Sequence, residues 1–439
     1  MNRETLATRF ADLPDLLPAN LTPRTLELPA VPGRADVVIG MRRSGKTWFL
    51  YQLLRQHLDS GIGWDRLLYI NFEDDRLHPI EAKELGLIPE VFYRRHPASR
   101  EQRCWFFLDE IQAAPGWERF VRRLLETENV SLVLTGSSAK LLSREIATSL
   151  RGRSLASELL PFSFGEALQH AGLEVPTQWP VSSKVRSRLA NRLERYLEVG
   201  GFPEVQELDP DRRLRVLRDH VDVVLFRDVV ERHGVENVHA LRYMQRSLLA
   251  HPAGRFSVHR LYNDLKSQGV SVGKDTLHQY LAHLEDAFLL FTVTVASRSE
   301  RVRQSNPRKC YPVDPGLAAM SSSEAGRDIG HRLETAVYLE LRRRGCSASY
   351  FRTEKGYEVD FLVRNPSGEK ELVQVCADLS DEATRERESR ALEHAMEETR
   401  LRHATVVTFD GVEEDELDTP GVRSVPAWRW LLESSKRST

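Results

Sequence analysis

Cysteine is scarce in these 439 residues. Cys104, Cys310, Cys346 and Cys376 are the only four, and no two of them form a CxxC pair. That scatter argues against a cysteine zinc site and fits a reducing compartment better than a disulfide framework. Long apolar runs are missing too: no window reaches the roughly 18 uncharged apolar residues a membrane span requires. The opening stretch, MNRETLATRFADLPDLL, mixes charges with short apolar pairs and lacks the uninterrupted apolar core of a secretory signal. A cytoplasmic protein with no membrane partner is therefore expected. Low-complexity segments are absent, and 41% hydrophobic with 29% charged residues is a globular composition. The length allows about two to four domains. A net charge of −2 conceals local asymmetry and says little about partners.

What is present is a rhythm. Through residue 160, apolar runs of strand type alternate with helical stretches: ADVVI (35–39), RLLYINF (66–72), CWFFLDE (104–110), SLVLTGSS (131–138) and SLASELLPFS (154–163). TWFLYQLLRQHLDS and VRRLLETE are the clearest helices between them. The alternation predicts an α/β domain on a parallel sheet.

GMRRSGKT (40–47) matches GxxxxGK[ST], follows a strand and precedes a helix, the context that gives this motif its meaning. Gly40 and Gly45 let the backbone wrap a phosphate, with amide N–H groups and a helix N-terminus facing the anion. Lys46 is placed for the β- and γ-phosphates and Thr47 for Mg²⁺, with Arg43, Ser44 and Trp48 counted among the nucleotide contacts. ATP and Mg²⁺ are the implied cofactors. WFFLDE ends in two carboxylates, which are costly to bury unless a metal and a water stand before them. Asp109 suits the outer shell of Mg²⁺, and Glu110 suits orienting or deprotonating the attacking water.

One further strand lies in sequence between the P-loop strand and the acid pair, which resembles the branch of P-loop enzymes that uses a catalytic glutamate. That resemblance implies that Asn71 restrains Glu110 until ligand binds and that Ser137 senses the γ-phosphate. LRGRSLASELLPFSF (150–164) is similar to the segment where AAA-type ATPases keep an arginine that contacts a neighbouring subunit's γ-phosphate. Arg153, with Arg151 second, is the candidate arginine finger, and a homo-oligomer follows if it acts in trans. The other reading is a salt bridge from Arg153 to Glu158 or Glu166. In order, RRSGKT, YINFED, FFLDEIQ, LTGSS, LRGR with LPFSF, and YLEVGGFPE (196–204) resemble prokaryotic AAA-type ATPases with a C-terminal domain of unknown function. The resemblance runs from residue 35 to residue 410.

The expected organisation is a P-loop NTPase core of AAA type (1–164), a helical lid (165–240), a winged helix (241–312) and a PD-(D/E)XK nuclease-like α/β domain (313–439). Residues 241–312 hold eleven Lys/Arg against five Asp/Glu, a local balance of +6. VHRLYNDLKSQ reads as a helix, Gly269 and Gly273 as a turn, and a second helix carries Leu277, Leu281, Leu284 and Phe288. An apolar β run follows, the order of a helix-turn-helix with a wing. Lys274, Thr276, His278 and Gln279 would face outward from the recognition helix. A strand pair spanning RSERVRQSNPRK would offer Arg298, Arg301, Arg303, Arg308 and Lys309 to DNA phosphates. A winged helix serving protein interaction is the alternative.

Further on, a helix containing Glu334, a hairpin with EVD and a strand where ExK would stand resemble the PD-(D/E)XK nuclease fold. In that pattern Glu334 and Asp360 are present, while Gln374 replaces the second carboxylate and Cys376 the lysine. An amide is a weaker Mg²⁺ ligand and a thiol supplies no positive charge, so a degenerate site is expected. Lys355 or Lys370 could migrate in, and Arg352 is a candidate partner for Asp360. The expected function is a Mg²⁺-dependent ATPase that binds DNA and remodels or translocates on duplex or branched DNA. A nucleotide-gated signalling or defence switch and an ATP-regulated nuclease are the alternatives.

Overall fold

The computed structural model describes residues 1–137, 152–321, 329–409, 415–417 and 419–433. The chain forms two compact units, Met1–Leu160 and Pro161–Thr439.

In the first unit five parallel strands form one sheet: β1 (Ala35–Ile39), β2 (Leu67–Asn71), β3 (Cys104–Asp109), β4 (Val130–Gly136) and β5 (Ser154–Glu158). Their order is β2–β3–β4–β1–β5. The central strands are continuously apolar because helices cover both faces of such a sheet. Helix Lys46–Asp59 buries Phe49, Leu50 and Leu54 in a cluster with Val38, Leu67, Phe107 and Val133. Helix Trp117–Thr127 turns Trp117, Phe120, Val121 and Leu124 inward at helical spacing. Strand β1 pairs with β4 on one side and β5 on the other, so the chain's direction of winding reverses there. Loops at the carboxyl ends of strands beside such a reversal form the ligand crevice of α/β sheets. Because β4 lies between β1 and β3, the P-loop, the acid pair and the end of β4 converge at one edge.

The second unit begins with helices Phe164–His170, Ser183–Val199 and Pro210–Val223, the last running into π-helical Val224–Glu231. These are the elements expected as a lid. Helices Val238–Ala250, Val258–Ser267 and Lys274–Asp286 then alternate with β6 (Arg255–Phe256), β7 (Leu290–Val293) and β8 (Arg308–Pro312). The three strands form an antiparallel sheet in the order β6–β8–β7. The strand pair expected over RSERVRQSNPRK is corrected: helix Glu300–Ser305 takes up half of that stretch, and only its end joins β8. Ser299 caps the helix by accepting from the Val302 N–H, and Glu300 accepts from Arg303 and Gln304 one turn on.

Helix Ile329–Arg343 leads into β9 (Ser347–Arg352), β10 (Glu358–Arg364) and β11 (Lys370–Cys376), an antiparallel meander. Helix Glu382–Thr399 crosses to β12 (Ala404–Thr408), which pairs parallel to β11. With β13 (Asp415–Glu416) and β14 (Val422–Pro426) the sheet order is β13–β14–β12–β11–β10–β9. Leu392 and Ala395 of the crossover helix pack on Val359, Leu372 and Val406. Among the described residues no helix is long and apolar enough to cross a membrane.

Candidate nucleotide site

The P-loop is shaped by what surrounds it. A Cβ at Gly40 would collide with the Leu159 carbonyl, and Gly45 takes φ +98° as helix Lys46–Asp59 begins. Arg43 also takes a left-handed conformation, φ +69°, so the loop's backbone curls into a concave nest. Arg24 braces it, donating to the Ser44 carbonyl at 2.8 Å and to the Leu160 carbonyl. The Lys46 ammonium, 4% exposed, donates to the Gly40 and Met41 carbonyls at 3.2 Å and stands 3.7 Å from Glu110.

Asp109 ends β3 fully enclosed and held by three hydroxyls. Thr47 donates to it at 2.7 Å, Tyr69 at 2.9 Å, and Thr135 to its other oxygen. Burial pushes its carboxyl above the ordinary range, the hydroxyls oppose that, and the Glu110 charge adds to it. Glu110 follows at φ +49°, its N–H donating to Thr135 at 2.9 Å and its carboxylate accepting from the Gln112 amide. The Ser44 and Ser137 hydroxyls are buried and have no hydrogen-bond partner among the described residues. Buried polar atoms are rarely left so, and both belong to the converging loops. The nest, the enclosed ammonium and these two hydroxyls fit a nucleoside triphosphate, and Thr47 with Asp109 could hold its divalent ion.

Two expectations are revised here. The Asn71 oxygen accepts from the Glu73 N–H at 2.9 Å, and the side chain that holds Glu110 is Gln112. The Arg153 guanidinium pairs with Glu126 at 2.7 Å, not with Glu158 or Glu166. Arg151 lies outside the described residues. Trp48 is 53% exposed and meets Tyr51 edge-on, with ring centroids 6.4 Å apart. Sequence reading missed Arg24, Tyr69, Gln112 and Thr135. Tyr69, Gln112 and Thr135 stand in the quoted YINFED, FFLDEIQ and LTGSS motifs, Gln112 two residues after the acid pair, while Arg24 stands in none.

Residues 33–168 match the AAA domain family, and residues 190–326 match a domain of unknown function, DUF8612. The chain is 34% identical to an uncharacterized protein of Methanocaldococcus jannaschii over 94% of this chain and 92% of that one. It is 30% identical to an uncharacterized protein of Haemophilus influenzae over 90% and 94% of the two chains. It belongs to their family. Its first unit is an AAA domain of P-loop type. Among solved structures it is similar to a Walker-type ATPase of Pyrococcus abyssi, 15% identical over 73% of this chain and 95% of that one, TM-score 0.41.

Beyond the AAA domain, the basic segment divides its cations into two groups. Lys274, His278 and Gln279 are exposed on helix Lys274–Asp286, with Thr276 half-buried and the Lys274 ammonium 5.0 Å from the Tyr262 ring. Arg298 and Arg301 are exposed as well. Arg303 is taken up by Glu300, and Arg308, half-buried, donates to Thr292 and Gln304 at 3.4 and 3.5 Å. Lys309 is not available to phosphate at all, which corrects its assignment. Four of the five β8 residues are buried, Lys309 among them. Its ammonium bonds Asp360 at 2.7 Å and Glu334 at 2.9 Å, with Glu358 at 3.4 Å.

The nuclease-like residues are thus brought together, with an unforeseen lysine at their centre. Tyr311 donates to Glu334 at 2.7 Å, and the Val375 N–H to the second Asp360 oxygen at 3.0 Å. Gln374 accepts from the Asp360 N–H at 3.0 Å and donates to Glu388 at 2.8 Å. Arg352 is therefore not the partner of Asp360, and Lys355 lies instead 3.5 Å from His394. Burial would lower the Lys309 ammonium, but Asp360 and Glu334 more than offset it and hold it above its ordinary value. Burial and the Asp360 charge push the Glu334 carboxyl upward. Burial also lifts the Cys376 thiol to about 11, so no charge comes from there at neutral pH. Among the described residues no group of three His, Cys, Asp or Glu is arranged to hold a metal ion.

Proposed function

We propose that the chain is a Mg²⁺-dependent ATPase that binds DNA through its second unit and couples hydrolysis to remodelling or translocation on duplex or branched DNA. The observation that supports the ATPase most directly is the meeting of Thr47 with Asp109 at 2.7 Å and of Lys46 with Glu110 at 3.7 Å, beside two buried hydroxyls without a partner among the described residues. Bound Mg²⁺ would supply charge screening for the phosphates. Thr47 and Asp109 would orient that ion, Lys46 would bind the phosphates, and the loop amides would fix their place. Glu110 would take a proton from the attacking water, and Ser137 would donate to the terminal phosphate.

The DNA reading rests on residues 238–312. Three helices with a sheet in the order β6–β8–β7 are consistent with a winged helix, and helix Lys274–Asp286 would be its recognition helix. Lys274, Thr276, His278 and Gln279 would face the groove, and Arg298 and Arg301 would meet phosphates. In this reading the helices of 165–240 act as the lid. The internal pairing of Arg303, Arg308 and Lys309 leaves fewer free cations than composition promised, which favours protein interaction as the second reading.

Phosphate release with and without duplex or four-way DNA separates the two. Stimulation by DNA that disappears in Lys46→Ala is expected. Arg298→Ala with Arg301→Ala should lower the log–log salt slope of DNA binding by about 2, one for each phosphate that an arginine no longer neutralises. DNA affinity that is absent or insensitive to salt leaves the protein-interaction switch.

A further inference from the structure

The position where the nuclease resemblance puts a divalent ion lies among Glu334, Asp360 and Gln374, and the side chains present do not fit one. We propose that the Lys309 ammonium is the resident cation of this cluster, closing it to metal and fastening the three-stranded sheet to the six-stranded one. This goes beyond the ATPase reading and stands whether or not the first unit hydrolyses ATP.

The geometry carries it. A divalent ion of the Mg²⁺ type needs about six oxygen ligands. Here both Asp360 oxygens and one Glu334 oxygen are already engaged: Lys309 lies 2.7 Å from Asp360 and 2.9 Å from Glu334, Val375 N–H takes the second Asp360 oxygen, and Tyr311 shares the Glu334 oxygen with Lys309. Gln374 accepts from the Asp360 N–H and donates to Glu388, so it brings a neutral oxygen already drawn on where a carboxylate would stand. An ammonium delivers a positive charge and three donors without needing that oxygen shell.

The clasp is built from three strands. Arg255 of β6 and Lys309 of β8 are register partners, while Glu358 and Asp360 stand two apart on β10 and both reach Lys309. Arg255 pairs with Glu358, and Lys309 with Glu358 and Asp360. Backbone bonds continue the join, from Ala296 N–H to the Tyr350 carbonyl at 2.7 Å and from Tyr350 N–H to the Thr294 carbonyl at 3.2 Å. A lysine on a buried, doubly paired strand has no room to swing aside. Breaking such a pair by deleting one partner strands the charges left behind, which invites another cation to enter.

The test is Mn²⁺ titration of the nucleotide-free full chain, followed by electron paramagnetic resonance and thermal unfolding. In wild type, no bound Mn²⁺ should be lost on Asp360→Asn. Lys309→Met, which keeps the stem and deletes the charge, should melt several degrees lower and gain one bound Mn²⁺ per chain. Saturating Mn²⁺ should restore part of that melting temperature, and adding Asp360→Asn should abolish both gains. A wild-type Mn²⁺ site removed by Asp360→Asn overturns the proposal, as does Lys309→Met gaining no ion. Mg²⁺-dependent DNA cleavage lost in Asp360→Asn overturns it too. Should Lys309→Met not fold, anomalous scattering from wild-type crystals grown in Mn²⁺ decides. A peak between Glu334 and Asp360 refutes the proposal, and its absence there supports it.

Discussion

At the scale of single residues, Glu110 is limited by the company it keeps. One of its oxygens accepts from Gln112, and the other faces Lys46 at 3.7 Å. A carboxylate committed to donors is a poorer proton acceptor, so any change that frees it should make it a better general base. Replacement of Gln112 by Ala is therefore expected to raise basal ATP turnover a few-fold. Asn71→Ala should leave it nearly unchanged, because Asn71 bonds Glu73 instead. Steady-state phosphate release measures both. A rise in Asn71→Ala with none in Gln112→Ala would return the restraining role to Asn71. Glu110→Gln is the control, with an expected loss of about 100-fold or more.

At the scale of elements, the parts legible in the sequence are those with one physical requirement. The strands β1 to β4 of the AAA domain are short apolar runs because both faces of a parallel sheet are buried, and they fall where those runs are, while the edge strand β5 has no buried residue. The P-loop and acid pair are legible because phosphate and metal dictate residue type at fixed spacing. Lys309 was misread for the opposite reason. In PRKCYPV the charge looks like part of a solvated arginine cluster, and only the burial of Cys310 and Tyr311 beside it marks a core strand. Its acid partners lie 25 and 51 residues away, beyond any local pattern. Helix Glu300–Ser305 has no buried residue, so it leaves no apolar periodicity to read. The glycines of YLEVGGFPE carried a resemblance in the sequence but not their purpose. Asp314 binds the Gly201 and Gly316 N–H groups, Gly200 stands at φ +80°, and a Cβ at Gly200 would collide with Asp314. Asp314→Asn should destabilise the fold by about 1–3 kcal/mol, since an amide nitrogen would then face one of the two N–H groups. Burial lifts the Asp314 carboxyl to about 6, above its ordinary value, while those N–H bonds pull it down. With the folded value raised, this group's stability contribution is full at low pH and is lost as pH rises through 6. The stability gap between wild type and Asp314→Asn should therefore widen by about 1 kcal/mol from pH 7 to pH 5. Urea unfolding at the two pH values checks it, and a constant or shrinking gap contradicts the assignment.

At the scale of the whole molecule, the open matter is whether one chain completes its own site. Arg153 is tied to Glu126 of the same chain, and both side chains are roughly half exposed. An exposed pair of this kind is worth no more than about 1 kcal/mol, so a neighbouring subunit's phosphate could compete for the guanidinium at little cost. If Arg153 works in trans, Arg153→Ala and Lys46→Ala fail for different reasons. The first keeps its P-loop and lacks a finger to lend, and the second lends a finger and cannot use one. Mixed in equal amounts, the two inactive variants should recover up to about a quarter of wild-type turnover, the share of interfaces where random assembly puts a whole P-loop beside a whole finger. Wild-type turnover per chain should also rise with protein concentration and then level off. No recovery at any mixing ratio, with turnover per chain independent of concentration, would confine Arg153 to its bond with Glu126 and leave the ATPase without need of a neighbour.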